Sequence, residues 1–173
     1  MEGKIKSCQG GVCMTYEASS VAAYVVNYCI DQGKPVTNLK LQKLLYYIQA
    51  AFLVKNDKPI FFDSISPWKY GPVVEDVYFQ YRKYVDREIT EKITDVDDMY
   101  THPDTNIYEI ISEPDQKLIN TVINSYMSYS GFDLVDKTHK EKPWKEANRR
   151  KSDIIEQEDI KEYYSLNAGL LYG

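Results

Sequence analysis

The sequence has few of the residues that build metal sites and disulfide frameworks. It contains two histidines and three cysteines among 173 residues, and Cys8, Cys13 and Cys29 include no Cys-x-x-Cys pair. A structural zinc site needs four ligands, and a disulfide framework needs an even number of cysteines. We therefore expect no metal, no cofactor, reduced thiols, and a Cys29 that fills space in an apolar helical stripe.

Long apolar runs and an excess of positive charge are also absent from the sequence. No run approaches the roughly 20 apolar residues that span a bilayer, and no signal-peptide core follows Met1. We expect a cytoplasmic protein with no membrane partner. The formal net charge of −5 gives no broad attraction to phosphate backbones, so nucleic acid is the less favoured class of partner.

The sequence does contain apolar residues at helical spacing. The clearest pattern follows Thr37, where five of them fall on one face of a helix: Leu41, Leu44, Leu45, Ile48 and Phe52. Comparable stripes predict a mainly α, single-domain bundle of about six or seven helices, with space for a small two-stranded β ribbon. We expect residues 14–165 to form this domain, after a disordered leader or added extension at 1–13 and before a flexible tail at 166–173.

Capping and turn residues predict the boundaries of the first three helices. Thr15 is expected to cap the first helix, Gly33 and Pro35 to end it, and Thr37 to cap the central helix. The pair Gly71-Pro72 is expected to open a third helix, with proline at its first position.

The remaining boundaries come from similar signals. Residues 60–68 and 88–94 have some β character and are candidates for short strands. Ser130 and Asp133 have the spacing of a capping box, which predicts a helix over 132–138. Pro143 is expected to open another short helix that carries Trp144, and residues 86–111 are predicted to be mainly loop.

One turn is rich in rigid and aromatic residues. It contains Trp68, Lys69, Tyr70, Gly71 and Pro72. Proline restricts the backbone, and preordered aromatic side chains lose little entropy when a partner docks on them. We predict that this turn binds a partner; the alternative is that Trp68 and Tyr70 are buried and stabilise the fold. Two tyrosines of the central helix are predicted to contribute to the same surface: Tyr46 and Tyr47.

Separate blocks of the sequence resemble one known family. They are 33–37 (Gly-Lys-Pro-Val-Thr), 39–47 (Leu-Lys-Leu-Gln-Lys-Leu-Leu-Tyr-Tyr), 68–74 (Trp-Lys-Tyr-Gly-Pro-Val-Val) and 134–147, which holds Thr-His and Pro-Trp pairs. In this order the blocks resemble the Panacea domain family, the SocA-like and GepA-like antitoxin-associated proteins of bacteria and phages. The resemblance implies structural roles for six motif residues: Leu41, Leu44, Leu45, His139, Pro143 and Trp144.

The same resemblance implies a function that does not involve catalysis. Members of the family neutralise toxin proteins in toxin-antitoxin systems, and the SocA type delivers its toxin to a AAA+ protease. We therefore expect a non-catalytic antitoxin or adaptor, phage-associated or bacterial, whose partners are a toxin protein and, for a SocA-type member, a AAA+ protease.

Two other functions are kept as alternatives. The first is catalysis centred on His139, which has Thr138, Glu141 and Trp144 nearby in sequence but no evident nucleophile. The sequence also lacks the phosphate-binding loop GxxxxGK[ST] and the dinucleotide fingerprint GxGxxG. Catalysis is therefore the least favoured of the functions considered.

The second alternative is a phage or prophage regulator that binds nucleic acid. The short corner between the first two predicted helices allows a helix-turn-helix-like pair. A basic run, Arg149-Arg150-Lys151, offers three consecutive cations for phosphates. A cluster of this kind on an acidic protein is more often the solvated end of a helix, where cations lie near free carbonyl groups.

Overall fold

The computed structural model describes residues 15–94 and 106–172. This part of the chain is mainly α and contains eight α-helices and two short 3₁₀ helices, 82–84 and 168–171. The α-helices are α1 (Ala18–Asp31), α2 (Asn38–Lys55), α3 (Glu75–Tyr81), α4 (Ile107–Ile110), α5 (Glu113–Ser125), α6 (Gly131–Lys140), α7 (Lys142–Arg150) and α8 (Gln157–Leu166).

Helix α2 lies at the centre of the fold. Thr37 caps it as predicted, since the Thr37 side chain accepts a hydrogen bond from the Lys40 amide at 3.2 Å. Every residue from Leu41 to Leu53 is buried, because α1, α5, α6 and α8 all pack against this helix. Because α2 is covered on all sides over this range, it buries polar side chains as well as apolar ones: Gln42, Lys43 and Gln49.

Four short strands form two separate antiparallel pairs. Strands β1 (Val36–Thr37) and β4 (Glu88–Ile89) make one pair, and β2 (Ser66–Trp68) and β3 (Gly71–Val73) make the other. The sequence placed β character correctly near Trp68 and Glu88. These two regions do not pair with each other, however. Strand β2 pairs with β3 across a tight turn, and β4 pairs with β1, which directly precedes α2.

The predicted start of the third helix is wrong. Residues Gly71 and Pro72 belong to β3, and α3 begins at Glu75 with Val74 as its cap. Gly71 has φ +93°, outside the helical region, and the Pro72 carbonyl is bound by a side chain of α2. Proline is tolerated both at a helix start and in an edge strand, so local sequence did not distinguish the two.

The C-terminal half follows the sequence more closely. Ser130 and Asp133 form a reciprocal capping box at the start of α6, and Pro143 lies in the first turn of α7. Thr15 does not cap α1, which begins at Ala18 after Glu17. Residues 168–171, predicted to be part of a flexible tail, form a 3₁₀ helix that buries Leu171 completely.

Helices and strands share one hydrophobic core, to which α1, α2, α5, α6 and α8 all contribute. The predicted leader, residues 1–13, lies outside the described residues. Within residues 15–94 and 106–172, no helix combines the length and hydropathy needed to cross a bilayer.

Candidate binding groove

A buried lysine of α2 holds the β2–β3 hairpin in place. Lys43 is fully buried, and its Nζ donates a hydrogen bond to the Pro72 carbonyl at 2.9 Å. The backbone of Gly71 passes so close that a Cβ atom there would lie 2.7 Å from Lys43 Cε and 2.8 Å from Thr138 Oγ1. Glycine is therefore required at this position both for its φ and for the close approach.

The environment of Lys43 also changes its acidity. Burial lowers the pKa of Lys43 to about 7, because taking an ammonium group out of water favours its neutral form. The amine is therefore partly neutral at physiological pH, and it donates to Pro72 in either state. An ionisable side chain inside the core therefore holds the hairpin backbone through a hydrogen bond.

The side-chain amides of two α2 residues also hold the segment that follows the hairpin. Gln42 accepts a hydrogen bond from the Val74 amide at 3.0 Å and donates to the Asn38 side chain at 3.0 Å. Asn38 in turn donates to the Tyr78 carbonyl at 3.0 Å. Buried polar groups that are bonded in this way favour one arrangement of the segment they hold.

Trp68 is fixed at both its backbone and its ring. Its carbonyl accepts a hydrogen bond from Trp144 Nε1 at 3.1 Å, and its own Nε1 donates to Glu75 at 3.2 Å. Its ring meets Tyr78 edge to face with centroids 5.0 Å apart. The predicted aromatic turn is therefore a rigid hairpin, half-buried at Trp68 and open at its tip.

The tip of the hairpin forms one wall of a groove of about 740 Å³. The start of α2, helix α3, the turn at Val85-Asp86 and the start of α6 form the other walls. Gly131 lets α6 approach α2 closely, since a Cβ there would lie 3.2 Å from Leu39 Cδ2. Large apolar and aromatic side chains dominate the lining: Leu39, Trp68, Tyr70, Val73, Tyr78, Val85 and Phe132.

Several of these side chains are exposed although they are hydrophobic. Tyr70 is 54% exposed, Phe132 67% and Val85 74%, and Phe79 beside Trp68 is 48% exposed. Single exposed apolar side chains are ordinary, but several around one concave surface are typical of a binding site. We call the surface formed by the residues lining this cavity the binding groove.

The predicted site residues divide between this groove and the core. Trp68, Lys69 and Tyr70 line the groove, whereas Gly71 and Pro72 are buried beneath it and shape the hairpin. Val85, Leu39 and Phe132 were not predicted. No local sequence signal indicates that these three residues belong to a site, because they lie in separate segments that only the tertiary fold brings to the same cavity.

Tyr46 and Tyr47 do not contribute to the groove, so the prediction for them is corrected. Both are fully buried, because they lie on the part of α2 that other helices cover on all sides. Tyr47 donates to Glu141 at 3.2 Å, and Tyr164 donates to the same carboxylate at 2.6 Å. Burial raises the pKa of Glu141, and Lys137 approaches it to 3.4 Å.

The residues of the catalytic alternative are held in structural contacts. The His139 ring stacks on Trp144 with centroids 4.0 Å apart, and burial followed by the nearby Lys43 charge lowers the His139 pKa. The Thr138 hydroxyl donates into its own helix, to Leu134 and Val135, while Glu141 accepts from tyrosines. In the described residues, no group of three or more His, Cys, Asp or Glu side chains could hold a metal ion.

The two features that suggested nucleic-acid binding are engaged within the fold. Arg149 is paired with Glu146 at 2.8 Å, and Arg150 with Asp159 at 3.3 Å. Helix α2, the second member of the proposed helix pair, is buried from Leu41 to Leu53 and cannot enter a groove of DNA.

Comparison with known proteins agrees with the motif blocks. A family model described as "Antitoxin SocA-like, Panacea domain" matches residues 41–145. Antitoxin SocA from Caulobacter vibrioides (strain NA1000 / CB15N) is 39% identical over 70 residues, which cover 38% of this chain and 37% of that relative. The match thus spans little more than a third of the relative's length. No solved structure matches the chain.

The family match covers more than half of the chain and includes α2 from Leu41 onward, the hairpin with Lys43 beneath it, and the α6–α7 region as far as residue 145, which supplies Thr138 and Trp144. These elements hold the groove together. The chain belongs to the SocA-like antitoxin family with a Panacea domain.

Proposed function

We propose that this protein is a non-catalytic antitoxin that neutralises a toxin protein by binding it in the groove. The family match supports an antitoxin role, and the relative from Caulobacter vibrioides carries that name. The observation that carries the proposal is the set of exposed apolar side chains around one rigid cavity, chiefly Tyr70, Val85 and Phe132. Delivery of the bound toxin to a AAA+ protease is a further part of the proposal.

Rigidity of the hairpin supports tight binding. Lys43, Gln42 and Trp144 fix the hairpin backbone through hydrogen bonds before any partner arrives. A preordered surface loses little conformational entropy on association, and aromatic anchors commonly supply most of the binding energy. An inhibitor that must hold a toxin inactive benefits from both properties.

The polar lining of the groove supports a protein partner over a polar metabolite. The side chains of Asn38 and Gln42 are already bonded to Tyr78, Val74 and each other. They therefore have little capacity left to recognise the polar groups of a small molecule. The remaining lining offers mainly apolar area, which favours apolar side chains from a second protein.

The test is neutralisation of the protein encoded by the adjacent open reading frame. That protein is produced in cells with and without this chain, and growth is measured. We expect wild type to restore growth and Phe132→Asp to lose this ability. An aspartate replacing Phe132 removes the apolar side chain but places a negative charge in the first turn of α6, where it favours the helix.

Phe62→Asp is the matched control. Phe62 is 75% exposed, close to the exposure of Phe132, and lies away from the groove beside Asp63 and Ile154. This variant is expected to restore growth as wild type does. If Phe132→Asp is folded and still neutralises the toxin, the groove is not the toxin-binding site. Toxin half-life, measured in the same cells, tests protease delivery.

A further inference from the structure

We propose that the groove receives the apolar face of an amphipathic α-helix from the partner, and that Val85 is held in a strained conformation to complete the wall on which that helix docks. This inference rests on the proposed function. It adds the secondary structure of the bound segment and a specificity-determining residue that no motif indicates.

The hairpin cannot accept a segment of the partner as an additional β-strand. The paired residues of β2 and β3 include Pro67 and Pro72, which face each other and have no amide hydrogen to donate. The Trp68 carbonyl is bound by Trp144, and the Pro72 carbonyl by Lys43. Each strand of the described residues has only two or three residues. Main-chain pairing with an incoming strand therefore has no adequate edge.

An incoming segment must then satisfy its own backbone groups when it enters an apolar groove. A buried amide or carbonyl without a partner is costly, and an α-helix is the element that bonds these groups internally. A helix also presents side chains at i, i+3, i+4 and i+7 along one stripe, so that one face of it can be apolar and pack against the apolar walls of the groove.

The charges at the groove are complementary to a helix that carries both signs. Lys69 and Asp86 both line the cavity, and neither has an ion-pair partner among residues 15–94 and 106–172. An amphipathic helix can place an acidic side chain against Lys69 and a basic one against Asp86, beside its apolar stripe. Such pairs at the rim favour one orientation of the bound helix.

Val85 has a strained backbone conformation at the edge of the groove. Its backbone has φ +56° and ψ −110°, which is a rare conformation for a β-branched residue. Its side chain is 74% exposed, so the fold gains almost nothing from burying it. Strained residues of this kind are concentrated at functional sites, and here the strain places an isopropyl group at the edge of the groove.

Photocrosslinking tests the helical partner. The chain is prepared with p-benzoylphenylalanine in place of Phe132, or in place of Phe62 as control, and mixed with the full-length protein of the adjacent reading frame. Crosslinked residues are mapped by mass spectrometry. We expect crosslinks from position 132 at intervals of three and four residues within one segment, and none from position 62. Crosslinks at alternate residues, or in a segment without helical spacing, would overturn the inference while leaving toxin binding intact. Absence of any complex would instead contradict the proposed function.

Val85 is tested by three variants in the same complex. Val85→Gly removes both the strain and the side chain, so we expect the melting temperature to rise by roughly 2 °C and binding to weaken roughly tenfold. Val85→Ile keeps the apolar contact and is expected to bind as wild type does. Val85→Asn accepts a positive φ better than valine does and should also bind weakly. If Val85→Gly is more stable and binds unchanged, Val85 has no role in recognition.

Discussion

Two aromatic clusters, one at the middle of α2 and one at its N-terminus, differ in how far they are buried. At the middle of α2, Tyr47 is enclosed in the core with Tyr126 and Tyr164, and the rings of Tyr47 and Tyr126 stack with centroids 4.4 Å apart. Near its N-terminus, Trp68, Tyr70 and Phe132 surround the groove and remain partly or largely exposed. Both clusters consist of aromatic side chains.

The two clusters also differ in how their side chains are held. The hydroxyls of Tyr47 and Tyr164 converge on one buried carboxylate, Glu141, which fixes the core cluster internally. In the groove cluster, Trp68 is held through its backbone and through its contacts with Glu75 and Tyr78, while Tyr70 and Phe132 remain largely exposed. The first arrangement stabilises the fold, while the second leaves apolar area available for binding.

Removal of Glu141 is expected to give the largest loss of stability. Glu141→Ala leaves the hydroxyls of Tyr47 and Tyr164 buried without an acceptor and Lys137 without its counter-ion, which we expect to cost about 3–5 kcal/mol. Denaturant unfolding measures this change. Glu162→Ala, on the exposed face of α8, is the control and should alter stability by less than about 0.5 kcal/mol. Equal effects of the two variants would show that the carboxylate is not a structural centre.

The second largest effect is expected at the base of the hairpin. Gly71→Ala forces a side chain into a backbone with φ +93° and against Lys43 and Thr138, so we expect a loss of about 2–3 kcal/mol. Gly169→Ala, where a Cβ would meet no atom within 4 Å, is the control. The melting temperatures of the two variants measure the change in stability. If Gly71→Ala has the same melting temperature as wild type, the hairpin is not held by close packing of position 71 against Lys43 and Thr138.

The dependence of stability on pH tests Lys43. Its pKa is lowered to about 7 in the fold, from an unfolded value of 10.5, so between these values the unfolded chain binds more protons. Stability should therefore rise with pH from 7 towards 9, by at most about 1.4 kcal/mol per unit. Lys43→Met should remove this slope. An unchanged slope in the variant would assign the effect to another group.

The smallest of these stability effects is expected from the cap of α6. Ser130→Ala removes one hydrogen bond of the capping box, from the Asp133 amide at 3.1 Å, and we expect a loss of about 1 kcal/mol. Because the start of α6 forms one wall of the groove, binding should weaken slightly as well. Ser165→Ala, an exposed position on α8, serves as control in both unfolding and binding measurements.

Local signals in the sequence were enough to predict the caps of α2 and α6 and the mainly α fold. Thr37, Ser130 and Pro143 act on the residues next to them, so their effect is visible without the tertiary structure. Gly71-Pro72 misled the prediction because those residues suit a helix start and a tight hairpin equally. The choice between the two was made by Lys43, 29 positions away in sequence.

Three of the residues that line the groove were predicted as site residues for a similar reason. Trp68, Lys69 and Tyr70 are adjacent in sequence and form a recognisable turn. Val85 and Phe132 come from separate segments and reach the groove only through the packing of α2, α3 and α6. Tyr46 and Tyr47 were misassigned because tyrosine is common both at interfaces and at the edges of cores.

The most direct test of this account is the affinity of Phe132→Asp for the protein of the adjacent reading frame, measured by calorimetry beside its melting temperature. We predict that affinity falls by roughly a hundredfold while the melting temperature stays within about 2 °C of wild type, and that Phe62→Asp changes neither. Unchanged affinity in a folded Phe132→Asp protein would contradict the assignment of the groove as the binding surface.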